Sequence, residues 1–205
     1  QKIWLEVMDY NPSKFEGIYK PVDSITWWEA LEFCNKLSEK YNLEPVYDLS
    51  KKGTLLINQL DGEKISSDIA DFKKTEGFRL PTEVEWEWFA KGGQVAIDKG
   101  TFDYKYSGSD NVDEVAWYDK ISNAETQNVG TKKPNQLELY DCSGNISEWC
   151  FDMDKSTKKN NKTVYRIIKG GSWFSEASWC SVLPRFCYNS IYSSKEIGFR
   201  IVRTV

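Results

Sequence analysis

Between Gly170-Gly171-Ser172-Trp173 and Ile197-Gly198-Phe199-Arg200 the chain carries no alternation of period two or period 3.6. A stretch without either period makes a poor core strand or helix, so it has to run over the surface of a scaffold built elsewhere. Its middle is filled with aromatic and small hydroxyl residues. Tyr, Trp and Phe give large contact area at low entropy cost, and Ser and Asn give adaptable hydrogen bonds, which is the chemistry antibody loops use. Two readings follow: an irregular surface loop with a few tucked-in aromatics, or a binding surface.

The scaffold is legible in local signals. Thr26 and Glu29 have capping-box spacing, and the helix they start, running to about Tyr41, places Trp27, Leu31, Cys34 and Leu37 on one face. Thr82 and Glu85 form a second box, followed by Trp86, Trp88 and Phe89 and by a Gly92-Gly93 stop. Strands are expected over 164–169 and over 197–205, where Ile197, Phe199 and Ile201 alternate. Residues 51–74 suggest a hairpin-bearing insertion turning at Asp61-Gly62. Without repeats, low-complexity tracts or a linker, residues 1–205 are expected to form one domain, long enough to bury a core.

Charge and composition exclude several functions. The net charge of -4 and the scatter of Lys and Arg speak against nucleic acid as a partner. The densest basic run, 155–162, is Ser/Asn/Lys-rich and has the composition of a solvated loop. No apolar stretch reaches membrane length and no signal peptide precedes Gln1, so a soluble, monomeric domain is expected, a form a processed precursor would share. Histidine is absent, which removes the commonest general base and transition-metal ligand. Cys34, Cys142, Cys150, Cys180 and Cys187 are odd in number and lack CxxC spacing. One disulfide is open to them, and at least one thiol stays free or pairs outside the chain. Cys34, among Leu31, Phe33 and Leu37, has the setting of a small buried hydrophobe.

The ordered landmarks resemble the formylglycine-generating-enzyme, or sulfatase-modifying-factor, domain over nearly the whole chain. They are Asn11-Pro12-Ser13, Pro21-Val22 with Ile25-Thr26-Trp27, Phe33 to Ser38, Phe78-Arg79-Leu80-Pro81-Thr82-Glu83-Val84-Glu85-Trp86, Val129-Gly130, Pro134-Asn135, Leu139 to Trp149, Gly170 to Trp173 and Gly198-Phe199-Arg200. The resemblance implies an α+β fold, a loop-rich variant of the C-type lectin fold with two main helices and short antiparallel strands. It also implies a strand ahead of Gln1, and hence a longer precursor.

The family's oxidases hold copper on two cysteines just after the Gly-Gly-Ser-aromatic motif. On this chain that pair falls on Ser175 and Cys180, so one thiolate is missing, and the histidine-ligated iron of other branches has no ligands here. Neither known catalysis is expected, and Cys180 is expected to pack beside Trp173 or Trp179. A second resemblance, to the variable proteins of diversity-generating retroelements and their treponemal branch in particular, accounts for the segment itself. In those surface lipoproteins adenine-directed mutagenesis rewrites a C-terminal repeat, often at Asn codons, whose accessible products include Phe, Ser, Tyr, Ile, Val, Leu, Cys and retained Asn. Such residues fill 174–194, whereas Glu176 and Trp179 require another origin.

The resemblance thus implies a non-catalytic ligand-binding protein of the cell surface or periplasm, anchored as an outer-membrane lipoprotein and varied over 174–194. The alternative is a formylglycine-generating-type oxidase or periplasmic accessory enzyme. Phe174, Ser175, Ser178, Trp179, Ser181, Leu183, Phe186, Tyr188, Ser190, Tyr192 and Ser193 are the expected ligand-facing residues, with Leu183 and Phe186 equally able to point into the core. Trp27, Trp28, Trp86, Trp88 and Trp149 fall in scaffold motifs and are expected in the core. The family's calcium stretch maps onto Asp141, Gly144, Ile146 and Glu148, oxygen donors of the kind calcium prefers. In the competing reading Asp141 and Glu148 merely cap loop amides.

Overall fold

Both capping boxes form in the computed structural model, which describes residues 1–50, 55–67, 72–154 and 164–204. The Thr26 hydroxyl accepts from Glu29 N–H while the Glu29 carboxylate accepts from Thr26 N–H at 2.7 Å. The Thr82 and Glu85 pair repeats the arrangement, with the Thr82 amide donating to Glu85 at 2.8 Å. Each box satisfies amides that a helix leaves unpaired at its start.

In chain order the helices are α1 (Lys2–Met8), α2 (Trp27–Lys40), α3 (Glu83–Ala90), α4 (Gly93–Asp98) and α5 (Val112–Val115). The strands are β1 (Tyr47–Asp48), β2 (Leu56–Asn58), β3 (Lys64–Ser66), β4 (Phe78–Arg79), β5 (Ser147–Met153), β6 (Tyr165–Lys169), β7 (Arg185–Asn189), β8 (Ile197–Phe199) and β9 (Val202–Arg203). The described part of the 51–74 insertion holds the β2-β3 hairpin, which turns through Gly62 at φ 83° and pairs with β1, and a 3-10 turn over Phe72–Lys74; residues 51–54 and 68–71 lie outside the described residues. So does the basic run 155–162. The β4 and β9 strands pair with each other.

The central sheet has the order β7-β6-β5-β8, antiparallel except for the parallel β5-β8 pair. Its inner strands β5 and β6 are covered on both faces. Trp149, Phe151 and Ile168 join Trp27, Leu31, Cys34 and Leu37 of α2 in the larger core. Cys150 and Ile167 point the other way, to Trp86 of α3, Cys142 and Val182. Two of the buried indoles are satisfied across the core: Trp27 Nε1 donates to the Cys150 carbonyl at 2.9 Å and Trp149 Nε1 to the Ile25 carbonyl at 3.3 Å.

Four expectations are corrected. Trp88 lies on the outer face of α3, 46% exposed and tilted against Phe102, and Trp28 is only partly buried. Gly92, at φ 87°, ends α3 but also opens α4, so the glycine pair redirects the chain rather than stopping it. The 197–205 run divides between β8 and β9, which belong to different sheets. The aperiodic segment contains a strand, β7, possible there because an edge strand needs only backbone partners on one side. All five cysteines are free thiols.

Candidate functional site

Gly170 and Gly171, at φ 90° and 69°, turn the chain out of β6. A side chain on Gly171 would collide with the Trp179 carbonyl and Cys180 Sγ, so the glycine lets the segment fold back upon its own root. From there residues 174–194 pass through a one-turn 3-10 helix (Ala177–Cys180), run along the sheet edge as β7 and return to β8.

The scaffold holds this course largely through the segment's backbone. Asp119 N–H donates to the Ser175 carbonyl at 3.1 Å, and Val182 N–H donates to the Lys105 carbonyl at 3.1 Å. The buried Lys169 ammonium donates to the Leu183 carbonyl at 2.9 Å, and it is ion-paired to Glu87 at 2.6 Å. Trp27 N–H donates to the Ser190 carbonyl at 3.2 Å and Ser24 N–H to that of Ser194 at 3.0 Å. The β6-β7 ladder adds five register pairs from Tyr165↔Asn189 to Lys169↔Arg185.

With the backbone held, most of the predicted side chains turn outward. Phe174 is 63% and Leu183 66% exposed, and Trp179, Phe186, Tyr188 and Tyr192 are also exposed, as are Ser178 and Ser193. The aromatics meet in pairs: Trp179 and Phe186 with ring centres 4.6 Å apart, and Tyr188 and Tyr192 stacked at 4.8 Å. Ser175 is half-buried; its hydroxyl accepts from Ser172 N–H at 2.9 Å. Ser181 and Ser190 do not join the surface. Ser181 is buried and donates to the Ser178 carbonyl, and Ser190 is buried and accepts from Trp28 Nε1 at 3.2 Å. Their short hydroxyls can satisfy polar groups inside the loop, a use that composition does not distinguish from exposure.

Sequence reasoning missed two residues. Ile191, 70% exposed, is a further exposed apolar side chain of the segment, and only its place inside the segment could have pointed to it. Glu196 lies beyond the segment and lines a cavity of about 310 Å³ with Ser147, Ile168, Ser175, Phe186, Tyr188 and Tyr192. The Tyr188 phenol is held above its ordinary value by burial, with Tyr192 and Glu196 adding to the effect.

Cys180, the surviving member of the copper-pair positions, belongs to a buried cluster with Tyr106, Val115, Ala116 and Tyr118. Burial, reinforced by Asp119, pushes its thiol up to about 12. A thiol in that state is a poor nucleophile and a poor metal ligand at neutral pH.

The calcium stretch lines a second cavity, of about 410 Å³, with Gly130, Asp141, Asn145, Ile146, Glu148 and Arg200 on its wall. Its donors do not fit the ion. Arg200 grips both oxygens of Glu148, at 3.0 and 2.8 Å, and Trp86 Nε1 donates to the same carboxylate at 2.7 Å. Asp141 accepts from Gly130 N–H at 2.8 Å and leaves Oδ1 buried without a partner; burial raises its pKa above the usual carboxylate value. The Gly144 carbonyl accepts from Ile146 N–H. A divalent ion here would have to displace a guanidinium from a buried carboxylate. Among the described residues no group of three or more Cys, Asp or Glu side chains could hold a metal ion.

Against known proteins, the model of the sulfatase-modifying factor enzyme 1-like domain matches residues 1–205. The chain is 36% identical over 221 aligned residues to the chaperone protein LppX of Paenibacillus barcinonensis, covering all of this chain and 77% of that protein. It is 28% identical to the formylglycine-generating enzyme of Thermomonospora curvata, over 65% of this chain and 52% of the enzyme. Among solved structures, Treponema denticola variable protein 1 superposes with a TM-score of 0.76 at 33% identity, covering 98% of this chain and 80% of that one. The short helices and curled sheets are thus the formylglycine-generating-enzyme variant of the C-type lectin fold.

Proposed function

This chain belongs to the sulfatase-modifying factor enzyme 1-like domain family, and from that premise we propose that it is a non-catalytic binding module whose specificity resides in the side chains of residues 174–194. The observation that carries this reading is the division of labour along the segment. Its ties to the scaffold run mainly through backbone atoms, which any residue supplies, while Phe174, Trp179, Leu183, Phe186, Tyr188, Ile191 and Tyr192 are exposed. A scaffold so arranged tolerates replacement of the ligand-facing residues without a new fold.

The likeness to the treponemal variable protein supports extending this reading to a segment diversified by a retroelement. In this reading the protein acts as a monomer at the cell surface or in the periplasm, carried as an outer-membrane lipoprotein, and its ligand is a protein or another surface molecule. No described helix is long and apolar enough to cross a membrane.

The family also includes oxidases, so two experiments separate the readings. Sister copies from the same genome, beside a reverse transcriptase and an adenine-rich copy of the last coding segment, should differ almost only between Phe174 and Ser194; differences spread over α2 and α3 would remove the retroelement reading. Purified protein given copper or iron and a cysteine-containing sulfatase peptide should form no aldehyde, because Ser175 stands where a second thiolate is required and Cys180 is buried. Turnover that disappears in Cys180→Ala would restore the enzyme.

A further inference from the structure

The cavity of about 310 Å³ at the sheet edge has a composition unlike the rest of the exposed patch. Phe186 and Tyr188, two residues apart on β7, lie on one face of that strand, opposite Ile168 and Arg166 of β6. That face is covered by α2 where it crosses β5 and β6, and it emerges into solvent at β7. Ile168 and Ile197 line the resulting slot beside the stacked pair Tyr188 and Tyr192. Glu196 supplies its one carboxylate.

Among the described residues no cation answers the charge of Glu196. Its backbone is committed, the N–H donating to Ser194 Oγ and the carbonyl accepting from Ser147 N–H. The carboxylate, however, has no ion pair among the described residues. The neighbouring cations are engaged elsewhere: Lys195 lies over the Trp173 ring at 5.0 Å, Arg185 pairs with Glu83 at 2.8 Å, and Arg166 stacks on Trp27 at 3.8 Å. An anionic group beside electron-rich ring faces, in a recess at the small end of ligand-site sizes, suits an organic cation with a flat or slender stem.

We propose that this slot takes a basic side chain, arginine or lysine, of a partner protein, with the charged head on Glu196 and the stem against Tyr188 and Tyr192. The proposal rests on the binding-module reading and adds to it the chemistry of the anchor. Glu196 lies outside the segment, so the carboxylate would remain while the tyrosines change, and a basic anchor would be a shared preference of the scaffold refined by each set of side chains. Phe174, Leu183 and Ile191 would then contact the apolar surface around that anchor.

The test titrates the intact chain with arginine amide, lysine amide and the neutral isostere citrulline amide, following tyrosine ring resonances by NMR. Arginine and lysine amides should shift Tyr188 and Tyr192 saturably, and citrulline amide should bind about tenfold more weakly or not at all. Glu196→Gln should remove that preference while leaving the melting temperature in place, and Glu176→Gln, also in the region but outside the slot, should preserve it. Equal binding of citrulline amide, or a preference that survives Glu196→Gln, would overturn the proposal. A parallel selection against purified protein targets, from a library randomised at the exposed segment positions, separates the two ideas. Binders without cation preference sink the slot alone, whereas a folded library that yields no binders sinks the binding module as well.

Discussion

The Lys169 ammonium donates to the Leu183 carbonyl at 2.9 Å, so a fully buried cation of the scaffold holds the segment by a backbone atom beneath one of its most exposed side chains. The two residues should therefore respond oppositely to mutation. Leu183→Ser should change stability by less than about 0.5 kcal/mol. Lys169→Met should cost about 3 kcal/mol, because it removes a buried partner of Glu87 and leaves that carbonyl unbonded. Urea unfolding of both variants checks the pair, and similar losses would refute the separation.

Where the family's calcium stretch lies, a guanidinium already neutralises Glu148. Melting temperatures with added calcium and with chelator should coincide. Arg200→Ala should destabilise by about 3 kcal/mol, since it strands a buried carboxylate. A chelator-induced fall in the wild-type melting temperature would show that the site takes an ion after all.

Thiol reactivity should follow burial. A thiolate is the reactive form, and Cys180, pushed up to about 12, stays protonated across the neutral range. Burial and the nearby Asp154 carboxylate also raise Cys187, but it is half-buried and more accessible. Mass-resolved alkylation of the native protein at pH 8 should label Cys187 first and leave Cys180 unmodified until the protein unfolds. Early labelling of Cys180 would contradict its placement.

Among the tryptophans, Trp86 and Trp149 are fully buried, and replacing either by Ala should cost about 3–5 kcal/mol. Trp88→Ala should cost far less, because its ring is 46% exposed and rests mainly on Phe102. Thermal melts of the three variants distinguish the groups.

The legible parts of this fold are those specified by neighbours in sequence. Thr26 with Glu29 and Thr82 with Glu85 announce their helices because all partners of a capping box lie within one turn. The β5 strand gives no such signal. Both of its faces are buried, Trp149 toward α2 and Cys150 toward α3, so the alternation that marks a half-exposed strand is missing. The β7 strand is hidden for the opposite reason: its side chains are exposed or half-buried throughout, and its pairing with β6 is a backbone matter. The exposure of Phe174, Trp179 and Tyr192 could be read from composition, but the burial of Ser181 and Ser190 could not, since a serine suits a loop's surface and its interior alike. Glu196 and Arg200 acquire their surroundings only from residues brought to them by the folded sheet.

The separation of scaffold from recognition is tested most directly by the folded fraction of two displayed libraries, measured as resistance to protease. One is randomised at Phe174, Trp179, Leu183, Ile191 and Tyr192, the other at Trp27, Leu31, Trp86, Trp149 and Ile167. A majority of clones in the first library should fold like the parent, because their scaffold contacts run through the backbone, while the second should be almost wholly cleaved. Equal collapse of the two libraries would mean that the segment's side chains are part of the core, and the binding-module account would fail.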